Sequence, residues 1–413
     1  MTSRQAEQYL LSLELFGMRF GLDRMHRLMT VLGLPQRRFA SIHVVGTNGK
    51  SSTARFTAAI LERHGLRTGS YTSPHLRSFR ERIEVGEEPV SEADFAAAVA
   101  RAAQAAELVN RPAKPDDHVT QFEALTAAAF HELARRGVEV AVIEAGLGGR
   151  FDATNVIPSK VQVLTSVGLE HTRWLGPTIE DIAAEKLAVV RDHGTLVVGD
   201  LDPAVRAVAD EVIAEHHARL VDATHDPGVR LQAAGGFQRA NFALAVAAAE
   251  AFLDRPLDNG AVQRAAASTT IPGRVEVVSH DPLTVYDGAH NPAGARALAD
   301  TLDEVLGERQ PRVALIGVLE DKDAAGMLAA LLPRFDRVVF TRSRNPRSLS
   351  PATLTSLAEQ LGGPPAETVA EPQAGLARAR ALAGPGGAVV ATGSIYLIAD
   401  LVREQADLRA STL

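Results

Sequence analysis

The sequence contains no cysteine among its 413 residues. This absence excludes a disulfide framework, a cysteine-ligated zinc or iron–sulfur site, and a thiol nucleophile. It is compatible with a reducing cytoplasm, which is the location that we expect. Stability must then come from the packing of apolar side chains, which make up 46% of the chain.

Long apolar runs are also missing. The two most apolar windows, residues 240–253 and 388–401, contain polar residues and fall short of the ~18 apolar residues that a spanning helix needs. Residues 1–10 lack the basic stretch and apolar run of a signal peptide. The formal net charge is −7 with both signs interspersed, so the chain has no concentrated basic face. We therefore expect neither a membrane nor a nucleic acid as partner.

Two hydrolytic motifs are absent as well. No pair of histidines has the His-Glu-x-x-His spacing of zinc hydrolases, and the Gly-x-Ser-x-Gly motif of serine hydrolases does not occur. The sequence therefore gives no support for metalloprotease or serine-hydrolase chemistry.

Short β-branched runs alternate with helical segments along the chain, a spacing typical of βαβ units. The predicted strands are Ser41–Val45, Val138–Ile143, Lys160–Val167, Thr195–Val198, Leu283–Tyr286, Val313–Val318, Arg337–Phe340 and Ala388–Ala391. Continuous apolar strands favour a parallel sheet with helices on both faces. The predicted fold class is therefore α/β.

Helix boundaries and one domain boundary can also be predicted. Ser91, Thr120 and Thr178 each stand three residues before an acidic residue, which is the spacing of a helix N-terminal capping box. The length indicates two or three domains. The helical pattern stops near Ile271–Arg274, and a new series of strands and helices starts at Leu283. We place the boundary there, which gives domains of residues 1–278 and 279–413.

A glycine-rich turn, Gly46-Thr47-Asn48-Gly49-Lys50-Ser51-Ser52, links a predicted strand to an amphipathic helix. Glycines let backbone N–H groups surround a polyphosphate, the lysine neutralises phosphate charge, and a serine hydroxyl can ligate Mg²⁺. The spacing Gly-x-x-Gly-Lys-Ser is tighter than the common P-loop pattern. The strand-to-helix context favours ATP binding over a plain glycine turn.

Polar residues follow the next two buried strands. Glu144 ends the strand that begins at Val138, and Glu170 and His171 follow the strand that begins at Lys160. Ligands bind at this edge of parallel sheets, and Mg²⁺ takes one or two carboxylate oxygens from protein. A structural carboxylate and a structural histidine are the alternatives. Spacing alone predicts that Lys186, on the next helix, is exposed.

Together these segments resemble the folylpolyglutamate synthase/dihydrofolate synthase family of the Mur ligase superfamily. The segments that carry the resemblance are His43–Ser52, Tyr71–Leu76, Phe79–Ile83, Glu144–Asn155, Glu170-His171, Phe237–Asn241, Pro272–Arg274 and Asp287–Pro292. The resemblance implies a P-loop ATPase domain with a mainly parallel sheet, followed by a smaller Rossmann-like α/β domain. It also implies ATP and Mg²⁺ as cofactors, a folate or dihydropteroate and L-glutamate as substrates, and a monomer.

The resemblance also implies a role for individual residues. The catalytic residues are Lys50, His171, Lys186, Arg274 and His290. The nucleotide-binding residues are Gly46, Thr47, Asn48, Gly49, Lys50, Ser51, Ser52, Asn241, Arg274 and Asp287. The metal ligands are Ser51, Ser73, Glu144 and His171. The substrate residues are Arg82, Asp152 and Ser394. In this family the lysine at the position of Lys186 is often carbamylated.

The implied reaction is amide formation through an acyl phosphate, in a cleft between the two domains. One alternative is another Mur-type ligase with a different acid and amine. A second is a catalytically inactive nucleotide-binding relative, against which the presence of Lys50, Glu144 and His171 argues. A third is a P-loop kinase or hydrolytic ATPase, and the segment Asp287–Pro292 argues against it.

Overall fold

The computed structural model describes residues 1–13, 21–114, 117–223 and 228–403. These residues form two sheets, one of eight strands and one of six, with helices packed around each. Most neighbouring strands within both sheets are parallel. The α/β prediction is confirmed, and the chain folds as two α/β domains.

The first sheet has the strand order β4-β3-β2-β5-β1-β6-β7-β8. Its strands are β1 (Ala40–Val45), β2 (Thr68–Tyr71), β3 (Ile83–Val85), β4 (Glu88–Pro89), β5 (Val140–Glu144), β6 (Val161–Leu164), β7 (Thr195–Val198) and β8 (Arg219–Asp222). Within this sheet, β3 is antiparallel to both of its neighbours, β2 and β4, and the other neighbouring strands are parallel. Because β1 lies between β5 and β6 in parallel register, the carboxyl ends of all three strands meet at one edge.

Helices cover both faces of this sheet, as the all-buried strand β5 requires. The helices of the first domain are α1 (Ser3–Ser12), α2 (Asp23–Val31), α3 (Lys50–Arg63), α4 (Glu92–Asn110), α5 (Gln121–Arg135), α6 (Thr172–Leu175), α7 (Ile179–Leu187), α8 (Pro203–Glu215), α9 (Gly236–Leu253) and α10 (Asn259–Ser268). Alternate residues of β5 belong to two different hydrophobic cores, one on each face of the sheet. Ala141 and Ile143 pack in a core with α4 and α5 residues, while Val140 and Val142 pack in one with α3 and α9 residues.

The second sheet has the strand order β13-β12-β11-β14-β10-β9. Its strands are β9 (Glu276–His280), β10 (Leu283–Tyr286), β11 (Arg312–Ile316), β12 (Arg337–Phe340), β13 (Ala366–Thr368) and β14 (Ala388–Thr392). Its helices are α11 (Pro292–Leu306), α12 (Ala324–Leu331), α13 (Pro351–Gln360), α14 (Pro372–Ala383) and α15 (Ile395–Val402). Only β9, an edge strand, runs antiparallel. The exact division between residues 278 and 279, which falls inside β9, stays a prediction.

The predicted helix caps are confirmed. The side chains of Ser91, Thr120 and Thr178 accept hydrogen bonds from the backbone N–H groups of Asp94, Glu123 and Asp181, so α4, α5 and α7 begin where the capping pattern indicates. In the described part of the chain, short 3₁₀ turns lie at Pro35–Arg37, Phe79–Arg82, Ala153–Val156 and Leu332–Arg334. Within the described ranges, no helix has the length and apolar character needed to cross a membrane.

Candidate active site

The glycine-rich turn of residues 46–52, called the P-loop from here on, connects β1 to α3. Neighbouring segments hold it in place. Gly46 and Gly49 have φ angles of 149° and 87°, in the region that favours glycine. A Cβ at Gly46 would lie 1.9 Å from Thr165 Oγ1, and one at Gly49 would lie 2.3 Å from Asn241 Oδ1. Both glycines are therefore required by backbone conformation and by space. The contact also brings Asn241, a predicted nucleotide-binding residue, directly against the loop.

Lys50 is the first residue of α3 and folds back over the loop. Its Nζ donates hydrogen bonds to the carbonyl oxygens of Gly46 at 3.1 Å and Thr47 at 3.2 Å. The loop itself is fixed by a hydrogen bond of 2.9 Å from Asn48 N to Ser166 Oγ. A cation and the N-terminus of a 14-residue helix therefore lie together, which is the arrangement that attracts a polyphosphate.

Glu144 lies beside this helix and is only 2% exposed. Its Oε1 accepts a hydrogen bond of 3.0 Å from Ser51 Oγ, and its Oε2 accepts one of 3.0 Å from the backbone N–H of Ser73. Burial raises the pKa of the Glu144 carboxyl, although the nearby Lys50 opposes the shift. The structure therefore brings together three of the four predicted metal ligands, Ser51, Ser73 and Glu144.

His171 lies at the same edge of the sheet, in the loop after β6. Its φ is 54°, a left-handed conformation that is uncommon for a residue other than glycine, and it caps α6. Burial and the nearby Lys322 lower the pKa of His171 to about 4, so the imidazole is neutral and able to act as a ligand. In the described part of the chain, no group of three or more histidine, aspartate or glutamate residues is placed to hold a metal ion on its own.

Lys186 is 4% exposed, so the prediction of an exposed side chain from helical spacing is wrong. The reason is its position near the end of α7, from which Nζ reaches the carbonyl oxygen of Gly46 at 2.9 Å. Burial and the neighbouring Lys50 lower the pKa of Lys186 to about 7, from an ordinary value of 10.5. A substantial fraction of this amine is therefore neutral at physiological pH.

The glycine run at residues 146–149, which follows Glu144, explains how the end of α7 can approach this segment so closely. A Cβ at Gly149 would lie 2.6 Å from the carbonyl oxygen of Lys186 and 2.8 Å from that of Glu185. Arg150 adds a backbone hydrogen bond of 3.0 Å to Glu185 O and an ion pair of 3.2 Å to the Glu185 carboxylate. The run therefore packs against the end of α7 and sets the position of Lys186.

Gly149→Ala is expected to lower the free energy of unfolding by about 1–3 kcal/mol, because backbone atoms cannot yield to the new methyl group. Turnover should fall as well, since the end of α7 must move and Lys186 with it. Gly199→Ala is the matched control, because its Cβ would meet only Leu244 at 3.8 Å. Urea unfolding and ADP formation measure the two effects. Unchanged values for Gly149→Ala would show that this close approach is not needed.

The segments that flank β9 and β10 of the second sheet contribute Arg274, Asp287 and His290. A Cβ at Gly288 would lie 2.2 Å from Arg274 Nη1, so the guanidinium occupies the space that this glycine leaves. Buried Asp287 accepts backbone hydrogen bonds from Val275 at 3.0 Å and Ala289 at 2.8 Å. These bonds fix the loop after β10, which carries His290. Burial raises the pKa of the Asp287 carboxyl, although Arg274 opposes the shift.

The three predicted substrate residues all make internal contacts. Asp152 is buried, and its carboxylate accepts hydrogen bonds from the backbone N–H groups of Thr154 at 3.0 Å and Leu147 at 2.9 Å. Ser394 caps α15. Arg82 is 1% exposed, and its Nε donates to His75 Nδ1 at 3.0 Å. Their roles toward a substrate stay predictions.

The two domains meet directly at the P-loop. Asn48 and Asn291 exchange two side-chain hydrogen bonds, from Asn291 Nδ2 to Asn48 Oδ1 at 3.0 Å and from Asn48 Nδ2 to Asn291 Oδ1 at 3.3 Å. The structure also brings Glu170 and Lys322 into contact, although neither was among the predicted site residues. Their only signals were the position of Glu170 at a strand end and a charged cluster at Asp321–Asp323.

Comparison with known proteins agrees with this geometry. The Mur ligase middle domain family matches residues 44–242, and the Mur ligase glutamate ligase domain family matches residues 273–395. The dihydrofolate synthase/folylpolyglutamate synthase of Mycobacterium tuberculosis is 38% identical over 389 residues, covering 85% of this chain and 80% of that protein. The chain belongs to the folylpolyglutamate synthase/dihydrofolate synthase family of Mur ligases.

Solved structures of this family share the fold. The M. tuberculosis folylpolyglutamate synthase, complexed with ADP and AMPPCP, has a TM-score of 0.89 and 34% identity, and the match covers 97% of this chain and 98% of that one. Escherichia coli FolC, in complex with DHPP and ADP, has a TM-score of 0.85 and 29% identity, with coverage of 97% and 96%. The family, the fold class and the class of ATP-dependent ligase are therefore confirmed.

Proposed function

We propose that the protein is an ATP- and Mg²⁺-dependent ligase that joins L-glutamate to a folate, to dihydropteroate or to both. The contact between Asn48 and Asn291 carries the proposal, because it sets the P-loop against the Asp287–Pro292 segment of the second domain. A nucleotide on the loop would then face groups of both domains. The names of the M. tuberculosis and E. coli relatives support the choice of substrates.

The proposed reaction has two steps. The carboxylate of the pterin-bearing acid attacks the terminal phosphoryl group of ATP, and ADP leaves with the electron pair of the broken bond. The amine of glutamate then attacks the acyl phosphate, loses a proton and expels phosphate as the amide forms. Lys50 and Arg274 stabilise the charge that develops on the transferring phosphoryl group.

The residues beside the P-loop fit Mg²⁺. Ser51 Oγ and the buried Glu144 carboxylate form a pair of hard oxygen ligands, and Ser73 and His171 are the further ligands that we propose. Mg²⁺ usually takes one or two carboxylates from protein and completes its shell with phosphate and water, so a larger acidic cluster is not needed. When bound, the ion neutralises charge on the phosphate oxygens.

Lys186 fits a modification by carbon dioxide. The ammonium group first loses one proton. The neutral amine then attacks CO₂ and loses a second proton, so the cation becomes an anionic carbamate. The burial of Lys186 and its pKa of about 7 supply the neutral amine near physiological pH. We propose that this carbamate forms and adds an anionic ligand near the P-loop.

The substrate assignment is tested by measuring ADP formation with Mg²⁺-ATP and L-glutamate. Dihydropteroate is added in one series and tetrahydrofolate in another, and mass spectrometry identifies the products. We expect ADP and one added glutamate per turnover, with no ADP formed when the acid or the glutamate is omitted. Nucleotide binding without turnover in either series would favour another Mur-type ligase or an inactive relative. A cytoplasmic location stays part of this proposal.

A further inference from the structure

The carboxylate of Glu170, in the first domain, contacts three residues of the second domain. Lys322 Nζ lies 2.6 Å from Glu170 Oε1, and His290 Nε2 lies 3.5 Å from the same oxygen. Asn291 Nδ2 donates a hydrogen bond of 3.2 Å to Oε2. The carboxylate therefore reaches a lysine in the loop after β11 and two residues in the loop after β10.

This contact is shielded from solvent. The side chains of Glu170 and Lys322 are each 10% exposed. Buried pairs of this kind are costly to break, because the remaining partner is left as an uncompensated charge. Asp321 Oδ2 lies 3.6 Å from Lys322 Nζ, and Arg347 lies 3.5 Å from Asp321, so charges of opposite sign alternate behind the pair.

Asn291 extends the contact to the P-loop. It accepts a hydrogen bond of 2.8 Å from Gly294 N as the N-cap of α11, and its amide bonds both Glu170 and Asn48. Glu170 therefore fixes the side chain that faces the P-loop, and it also contacts His290. A displacement of Lys322 would loosen both residues without any change in the P-loop itself.

We propose that Glu170 and Lys322 are a positioning pair that sets the P-loop of the first domain against the His290–Asn291 segment of the second. In this proposal the pair acts through Asn291 and His290 and does not itself contact ATP, the acid or glutamate. It rests on the proposed function, because it has a kinetic effect only if the reaction takes place in the cleft between the domains.

Lys322→Met is expected to lower kcat on the order of 10- to 100-fold, as expected for a small displacement of reacting groups. The dissociation constant of AMPPCP should change by less than about fivefold, because the P-loop itself is unchanged in this variant. Lys322→Arg keeps the charge and should restore most of kcat. Arg378→Met breaks an exposed pair with Glu367 in the same domain and should leave kcat unchanged.

A double-mutant cycle distinguishes positioning from direct contact with substrate. If Lys322 acts only through Glu170, then Lys322→Met should add little to the loss already caused by Glu170→Gln. Losses in kcat that multiply in the double variant would mean that Lys322 works independently, and the proposal would be overturned. Circular dichroism verifies that each variant folds.

Hydrogen exchange tests the positioning pair without relying on the proposed function, because it measures backbone amide exchange and not turnover. Amides of residues 288–291 should exchange faster in Lys322→Met than in the wild type or in Arg378→Met, with or without AMPPCP. This result would support the pair even if the wild type formed no amide with either acid, an outcome that would reject only the proposed substrates. Equal exchange in all three proteins would overturn the positioning role.

Discussion

Glu144→Gln is expected to reduce turnover on the order of 100- to 1000-fold or more while leaving the protein folded. The substitution preserves size and removes the negative charge beside Ser51 and the P-loop. Glutamine also has only one acceptor oxygen for the two donors that Glu144 now satisfies, Ser51 Oγ and Ser73 N. The site would therefore lose its buried anionic oxygen and part of its geometry together.

The same substitution is expected to remove a pH dependence of the stability. Burial raises the pKa of Glu144 above its ordinary value of 4.5, so the folded state holds the proton more tightly than the unfolded state. The stability of the wild type should therefore fall as pH rises from 4.5 through the folded pKa. Glutamine removes this slope, because its amide does not titrate.

Urea unfolding at pH 5 and pH 8, together with ADP formation, measures both effects. Glu84→Gln is the matched control, since Glu84 is another buried carboxylate of the first sheet, paired with Arg55 at 2.7 Å and outside the site. The control should retain turnover. A folded Glu144→Gln protein with normal turnover would remove Glu144 from the mechanism.

Lys186→Met is expected to abolish most turnover and to change how stability depends on pH. The folded pKa of Lys186 is about 7 and its ordinary value is 10.5, so between these values the unfolded state binds more protons. The free energy of unfolding of the wild type should therefore rise with pH across this window, by up to roughly 1.4 kcal/mol per pH unit. Methionine fills similar space and removes the slope, so its relative stabilisation is largest at or below pH 7.

Carbon-13 NMR with labelled bicarbonate tests the carbamate directly. The wild type should show a carbamate signal that grows from pH 6 to pH 8, and Lys186→Met should lack it. Lys160→Met is the control, because Lys160 is exposed and should change neither the signal nor turnover. If the wild type turns over normally but shows no carbamate signal, the modification is rejected. Lys186 would then act only as an amine.

The parts of the fold that follow local patterns could be predicted. All eight predicted strands are present, because buried parallel strands need continuous apolar runs. The P-loop follows from its glycines and its place between a strand and a helix. Glu144 and His171 follow from one rule, that the carboxyl ends of neighbouring parallel strands meet at the same edge.

The parts that depend on distant neighbours could not be predicted. Strand β2 is short and polar, and it is held in the sheet by its pairing with β5. Strand β8 is only partly buried, so its sequence lacks an apolar run. Glu170 and Lys322 are 152 residues apart, and no local pattern joins them. Lys186 is buried because its Nζ reaches the carbonyl oxygen of Gly46 and because Gly149 lets another segment approach its helix.

One carbonyl oxygen has a further consequence. Gly46 O accepts hydrogen bonds from the side chains of two lysines, Lys50 and Lys186, at 3.1 and 2.9 Å. A polyphosphate that draws Lys50 toward itself would leave this oxygen to Lys186 and would add negative charge nearby, and both changes favour the protonated amine. Linkage makes the effect reciprocal, so nucleotide binding and protonation of Lys186 would each favour the other.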